Sequence, residues 1–169
     1  MSLHADLLKQ ARHLATKEPR RPSQASLRRA VSSAYYALFH RLVDEATRMM
    51  ISRRNRDSLR EHFSRAFRHQ DMKDVCKSFA SNRAPGKLTR AFENLPLQPQ
   101  LVDIARAFVD LQEARHQDDY NAYRSIKRQE AIHLVELAGK ALDDWNAIRR
   151  TPQADAFLAG LLVINRIQG

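Results

Sequence analysis

The stretch that decides the fold of this chain is residues 28–40, which read Arg28-Arg29-Ala30-Val31-Ser32-Ser33-Ala34-Tyr35-Tyr36-Ala37-Leu38-Phe39-His40. Apolar residues recur here every three or four positions, which predicts one buried face of an α-helix. The full face comprises Leu27, Val31, Ala34, Leu38, Leu42 and Ala46, with Tyr35, Phe39 and Met49 widening it. We expect this helix to lie at the centre of a bundle and to reach Met50. Ser23 or Ser26, just after Pro22, is its predicted cap.

The rest of the chain repeats this helical pattern. Only four glycines and six prolines occur in 169 residues, which favours helices over a turn-rich sheet. We expect further helices at about 3–17, at 58–80, from 100 to a break at 118–121, and at 122–149, with a short helical turn at 88–92 inside a long loop. The second of these should bury Leu59, Phe63, Ala66, Phe67, Val75, Cys76 and Phe79. The predicted fold is all-α, a four- to six-helix up-down bundle over residues 1–150.

The C-terminal segment, residues 151–169, has a different character. Phe157–Ile164 is apolar on every side of a helix, so a monomer must bury it or expose an apolar patch. We expect a short helix that packs either on the bundle or on a second subunit or partner protein. No run approaches the length of a membrane span, and no signal peptide is visible, so the sequence predicts a cytoplasmic protein without membrane contact.

The charge balance favours a polyanionic partner. Lys and Arg number 29 against 19 Asp and Glu, which gives a net charge of +10. The basic residues concentrate in residues 48–68, where only Asp57 and Glu61 oppose Arg48, Arg53, Arg54, Arg56, Arg60, Arg65 and Arg68. With Arg83, Lys87 and Arg90, they form the predicted nucleic-acid-binding surface. The alternative is an ordinary solvated surface. A single cysteine and the lack of a metal-ligand or phosphate-loop motif predict no metal and no cofactor.

Two pieces of the sequence resemble the HEPN superfamily, small all-helical domains of prokaryotic toxins, antiviral systems and some eukaryotic proteins. Residues 29–40 resemble the family's Arg-Ala-x-Ser-x-Ala-Tyr-Tyr-Ala-x-Phe-His segment, and residues 115–120 resemble its Arg-x-x-x-Asp-Tyr step. The resemblance implies a HEPN-like bundle in which Tyr35, Tyr36, His40, Asp119 and Tyr120 belong to the shared motifs. Tyr35, Tyr36 and His40 would line a pocket or belong to the core.

The resemblance implies that active members are metal-independent endoribonucleases. They use an Arg and a His with four to six residues between them, paired across a homodimer. Here Asp118 stands where the family's His is expected, and the nearest imidazole, His116, adjoins Arg115. Arg115 has a structural interpretation as well, because Asp119 lies one turn further on and is a natural partner. Two other pairs have the family's spacing, and their residues are Arg56 with His62 and Arg128 with His133.

Three functions remain open from the sequence. The first is a dimeric HEPN-like module that binds RNA or other nucleic acid in a defence or toxin–antitoxin system. The second is an endoribonuclease, with Arg56, His62, Arg115 and His116 as candidate catalytic residues. The third is a non-catalytic subunit that holds a larger complex through residues 157–164. The resemblance also implies, for some members, a nucleotidyltransferase antitoxin that modifies a tyrosine near the Asp-Tyr step, which would nominate Tyr120.

Overall fold

The computed structural model describes residues 2–53, 55–92, 95–121 and 123–163, apart from the side chains of Lys87 and Val163. Over this part of the chain every regular element is helical and no β-strand is present, which confirms the all-α prediction. The elements are α1 (Leu3–Thr16), α2 (Gln24–Met50), α3 (Asp57–Ser64), α4 (His69–Ala80), a 3-10 helix (Gly86–Phe92), α5 (Pro99–Tyr120), α6 (Arg128–Ile148) and α7 (Pro152–Val163). Six of these described α-helices lie within residues 1–150, in agreement with the predicted four to six, and α7 is the C-terminal helix predicted separately. The helix expected at 58–80 is two helices, α3 and α4.

The chain divides into two compact units, each assembled from two stretches of sequence. Unit 1 comprises Met1–His40 and Ala107–Asp143, and unit 2 comprises Arg41–Arg106 and Asp144–Gly169. Three long helices, α2, α5 and α6, contribute residues to both units. Each unit therefore contains helices that are distant in sequence.

The core of unit 1 is the predicted apolar face of the central helix. Leu27, Val31, Ala34, Tyr35 and Leu38 are all fully buried. The ring of Tyr35 meets the ring of Phe108 edge-on, with their centroids 5.6 Å apart. Burial of such large side chains, at roughly 25 cal/mol per Å² of apolar surface, is the main source of stability in a helical core.

The start of the central helix also agrees with the prediction. The backbone N–H of Ser26 donates to the hydroxyl of Ser23 at 3.1 Å, so Ser23 is the cap. The hydroxyl of Ser26 in turn donates to a carboxylate oxygen of Glu18 at 2.9 Å. These bonds satisfy N–H and O–H groups that the first turn of a helix would otherwise leave without partners.

Unit 2 has a core of aromatic rings, and α7 contributes to it. Phe157 packs edge-on against Phe79 with their centroids 5.0 Å apart, and Trp145 lies 6.2 Å from Phe157. Phe157, Leu158 and Leu161 are buried by the chain itself. The predicted C-terminal helix is therefore present and packs within its own chain through these residues. Ile164, the last residue of the predicted apolar segment, lies outside the described residues.

Two helix boundaries differ from the prediction in unit 2. The helix expected to begin at Ser58 begins at Asp57, ends at Ser64, and is followed by a break before α4. At that break the hydroxyl of Ser64 donates to the carbonyl of Glu61 at 2.7 Å, a side-chain bond that competes with helix propagation. The short helix does not bury its apolar stripe. Leu59 and Phe63, predicted to be core, are 44% and 38% exposed.

In unit 1, α5 continues to Tyr120, and α6 begins at Arg128 instead of Ala122, which itself lies outside the described residues. The link between the two helices is held to the central helix by Gln24. The side-chain oxygen of Gln24 accepts from the N–H of Ile126 at 2.8 Å, and its amide nitrogen donates to the carbonyl of Ile126 at 3.0 Å. These two bonds give the link an alternative to helical hydrogen bonding.

Arg28 holds the C-terminal end of α5 to the central helix. Its guanidinium donates to the carbonyl oxygens of Asp118 at 2.6 Å, of Asn121 at 3.2 Å and of Arg124 at 2.6 Å. The last carbonyls of a helix have no partner within the helix and carry the negative end of its dipole, so a cation there is doubly favourable. Arg28 thereby fixes the predicted motif residues 115–120 beside residues 28–40.

Replacing Arg28 by Ala should lower the free energy of unfolding by roughly 2–3 kcal/mol, because it leaves several part-buried carbonyl groups without donors. Urea unfolding followed by circular dichroism measures this change. Arg29→Ala is the matched control, because Arg29 is exposed, and it should change stability by no more than about 0.5 kcal/mol. Equal effects of the two substitutions would contradict the role given to Arg28.

Candidate nucleic-acid interface

A folded loop connects α2 to α3 in unit 2, and Arg60 determines its shape. The guanidinium of Arg60 donates to the carbonyl of Ile51 at 2.9 and 3.1 Å and to the carbonyl of Arg53 at 2.8 Å. It also pairs with Asp57 at 2.7 Å. Asn55 adopts a left-handed backbone conformation with φ of 61°, which this residue type tolerates. These contacts hold the described part of the loop to α3. Arg60, a predicted binding residue, therefore has a structural role.

The arginines of the predicted basic surface fall into two classes. Arg48 pairs with Asp44 at 2.9 Å, and Arg65 pairs with Glu61 at 3.1 Å. The guanidinium groups of Arg53, Arg56 and Arg68 are exposed and have no hydrogen-bond or ion-pair partner among the described residues. Exposed ion pairs partly neutralise each other, whereas a free guanidinium keeps its five N–H donors for a ligand. Arg54, also predicted here, lies outside the described residues.

Two of the free arginines line a cavity of about 370 Å³. We call it the arginine cavity, and its lining residues are Met50, Ile51, Ser52, Arg53, Arg56 and Leu59. Met50 and Leu59 expose 37% and 44% of their surface, so apolar and cationic groups adjoin at one place. A cavity of this size suits one nucleotide: the apolar side chains can contact the base, and the guanidiniums can bind the phosphate. In the described part of the chain, no carboxylate lines the cavity.

The other basic residues predicted for this surface also belong to unit 2. Arg83 and Arg90 are exposed and have no ion-pair partner among the described residues. The side chain of Lys87 is not among those that the structure describes. They add positive charge to unit 2.

The predicted catalytic pair Arg56 and His62 does not converge within α3. Arg56 is the N-cap residue of the helix and His62 lies in its last turn, both exposed. Six residues along a helix separate two side chains by roughly 9 Å along the axis and about 120° around it. Arg56 instead belongs to the arginine cavity, which His62 does not line.

Arg115 has a structural environment in unit 1. Its guanidinium lies over the rings of Tyr35 and Tyr36, 5.4 and 5.0 Å from their centroids, and its Nε lies 3.1 Å from a carboxylate oxygen of Asp119. The cation–π contacts and the ion pair restrict this side chain from both sides. Asp119 is the partner that the spacing predicted for Arg115.

His116, the candidate catalytic residue next to Arg115, has a different environment. Its ring lies 4.4 Å from the ring of Tyr120, which is 80% exposed. The third pair is equally separate: Arg128 donates to the carbonyl of Pro19, whereas His133 is exposed one and a half turns further along α6. Among the described residues of the chain, no histidine and arginine with the spacing of the resembled family are brought together.

Asp118, which stands in the place of the family's histidine, is buried. Only 3% of it is exposed, and its carboxylate accepts from Arg124 Nη1 at 3.1 Å. Arg124 also pairs with Glu130. Burial raises the pKa of the Asp118 carboxyl, against the opposing effect of Arg124 and Arg28. These ion pairs hold the end of α5, so Asp118 has a structural role.

Tyr36 and His40, one turn apart on the central helix, stack with centroids 5.8 Å apart. Tyr36 thus has Arg115 over its ring and His40 beside it. His40 is half-buried, and this desolvation lowers its pKa. The predicted motif residues of the central helix therefore lie together, and Tyr35, fully buried, belongs to the core.

The sequence interpretation missed the role of Arg28. The signal was present, because Arg28 lies seven residues before Tyr35 and therefore on the same face of the helix. A cation on a buried helical face requires partners, and backbone carbonyls supply them here. What the spacing could not reveal is that those carbonyls belong to residues about ninety positions away.

Comparison with known proteins gives no relative for this chain. No family model, no curated protein and no solved structure matches it. In the described part of the chain, no helix combines the length and the apolar character needed to cross a membrane. Over the same residues, no three His, Cys, Asp or Glu side chains are grouped so that they could hold a metal ion. Any inference about function therefore rests on the geometry within each unit.

Because burial lowers the pKa of His40, protonation destabilises the folded state. Stability from this group is present above the ordinary pKa of about 6.5 and is lost as the pH falls through the lower folded value. His40→Gln, which does not titrate, should lose less free energy of unfolding than the wild type between pH 7 and pH 5. Urea unfolding at both pH values measures the difference, and parallel losses in the two proteins would contradict it.

Proposed function

We propose that this chain is a HEPN-like helical domain that binds single-stranded RNA through the arginine cavity of unit 2. The observation that carries the proposal is that Arg53 and Arg56 have no acidic partner and adjoin exposed Met50 and Leu59. Phosphate neutralisation by free cations is the dominant source of affinity in nucleic-acid binding. The resemblance alone suggests a defence or toxin–antitoxin system, a homodimer and a nucleotidyltransferase antitoxin.

The resemblance to HEPN domains gains support from unit 1. The two motif pieces are 75 residues or more apart in sequence, yet Arg115 of one piece lies over the rings of Tyr35 and Tyr36 of the other. A shared family fold requires this juxtaposition. Random pieces of sequence similarity would have no reason to meet.

Single-stranded RNA fits the arginine cavity better than a duplex does. Exposed apolar side chains bind the face of a base, and that face is accessible only where bases are unstacked. A duplex would present phosphates alone and leave Met50 and Leu59 without a function. We therefore expect unpaired RNA to bind more tightly than paired RNA of the same length.

The arrangement of the described residues favours binding over cleavage, because it brings no Arg–His pair together within one chain, and a site assembled across a homodimer is what the cleavage assay tests. Proton abstraction from a ribose hydroxyl needs a base within hydrogen-bond reach of the phosphate-binding cation. Arg115 is held by Tyr35, Tyr36 and Asp119, and Arg56 and His62 point to different sides of α3. The non-catalytic interaction subunit also gains less support, since Phe157, Leu158 and Leu161 are buried by their own chain.

Fluorescence anisotropy with a labelled single-stranded RNA tests the proposal. The variant Arg53→Ala/Arg56→Ala should bind about ten- to a hundredfold more weakly, because it removes both free cations of the arginine cavity. Arg48→Ala/Arg65→Ala is the matched control. It lowers the net charge equally, but both arginines are already paired with acids.

The control double variant should lose no more than a few-fold in affinity. Equal losses in the two double variants would show that only net charge matters and would contradict the arginine cavity. Absence of RNA binding by the wild type would remove the proposal. RNA recovered intact after incubation in EDTA supports a binding module, whereas fragments with cyclic phosphate ends would favour the endoribonuclease.

A further inference from the structure

A second cavity, in unit 1, has the chemistry of an anion site. Its volume is about 260 Å³, and we call it the serine cavity after Ser32 and Ser33 on its wall. The lining residues are Leu7 and Gln10 of α1 and Arg29, Ser32, Ser33 and Tyr36 of α2. The small serine side chains leave room between the two helices. None of the described residues that line it is acidic.

Two polar groups of the serine cavity are donors without partners among the described residues. Arg29 is exposed, and its guanidinium pairs with no described residue; the hydroxyl of Ser32 likewise makes no hydrogen bond within the described part of the chain. Arg28, the neighbour of Arg29 in sequence, instead binds three backbone carbonyls. A cation and a hydroxyl one turn apart on a helix can bind one anion together.

Hydrogen bonds and ring contacts hold part of the cavity wall in place. Ser33 is 4% exposed, and its hydroxyl donates to Gln10 Oε1 at 3.1 Å. This bond occupies the acceptor of the Gln10 amide, and the NH₂ group makes no hydrogen bond to the described residues. Tyr36, on the same wall, is fixed by Arg115 over its ring and by His40 beside it. The Gln10 amide and the Tyr36 ring are thus held in place before a ligand arrives, which lowers the entropic cost of binding.

We propose that the serine cavity binds a phosphate monoester. Arg29, Ser32 and the Gln10 amide would donate to the phosphate oxygens, and Leu7 and Tyr36 would contact the group that carries the phosphate. The volume exceeds that of a phosphate alone and falls just below the usual range for drug-sized ligands, so it suits a phosphate with one small ring. Two sources share this chemistry, a free phosphorylated metabolite and the 5′-phosphate end of an RNA. The site is separate in its residues from the arginine cavity and does not depend on the proposed function.

Nuclear magnetic resonance of the ¹⁵N-labelled full chain tests the proposal. Inorganic phosphate and uridine 5′-monophosphate should shift the amide signals of Ser32 and Ser33 and the side-chain amide of Gln10 in a saturable way, relative to chloride at equal ionic strength. Arg29→Gln should weaken this binding by about tenfold or more, because it removes the one cation among the described residues that line the cavity. Arg21→Gln, at another exposed arginine of unit 1 without a described partner, should leave it unchanged.

The two sources are separated by a second pair of probes, a short RNA with a 5′-phosphate and the same RNA with a 5′-hydroxyl. Tighter binding of uridine monophosphate than of the phosphorylated RNA assigns a free metabolite. Tighter binding of the phosphorylated RNA than of both uridine monophosphate and the 5′-hydroxyl RNA assigns the RNA end. Shifts that persist in Arg29→Gln, or no saturable shift with any probe, would overturn the proposal. The variant Arg53→Ala/Arg56→Ala should keep the serine-cavity response. A failure of RNA binding at the arginine cavity can therefore be told apart from a failure of phosphate binding at the serine cavity.

Discussion

The excess of basic over acidic residues is the constraint on which the rest of this structure depends. A net charge of +10 means that many guanidinium groups have no carboxylate available to them. A buried guanidinium must still be satisfied, and here the backbone satisfies it. Arg28 binds the carbonyls at the end of α5, and Arg60 binds those of the loop after α2. These two arginines shape the segments around both candidate sites.

The same constraint divides the arginines by function. Arginines that hold the fold have partners, as Arg115 has in Asp119 and two tyrosine rings. Arginines that face solvent without partners, such as Arg29, Arg53 and Arg56, remain available for an anion. The Arg–His spacing found in this chain does not by itself distinguish these two kinds of arginine. The chain's arginines are numerous, and the chemistry of each depends on what its guanidinium contacts.

The sequence predicted those features that depend on neighbours along one helix. The buried face through Tyr35 and Leu38, the Ser23 cap and the Arg115–Asp119 pair all follow from spacings of three or four residues. It failed for Leu59 and Phe63, because an apolar stripe does not reveal that its helix stops after two turns. The sequence also could not reveal which arginines are paired, since Arg28 and Arg60 find their partners in loops. Nor could it reveal the two cavities, because their shape depends on where the helices lie in space.

The salt dependence of RNA affinity tests most directly the claim that unpaired arginines bind phosphates. Each phosphate neutralised on a single strand contributes a slope of about −0.7 to the logarithm of the association constant against the logarithm of salt concentration. The two guanidiniums of the arginine cavity therefore predict a slope of about −1.4 or steeper for the wild-type chain. A slope near zero would contradict the account, because it would show that RNA, if it binds at all, does so without displacing cations from its backbone.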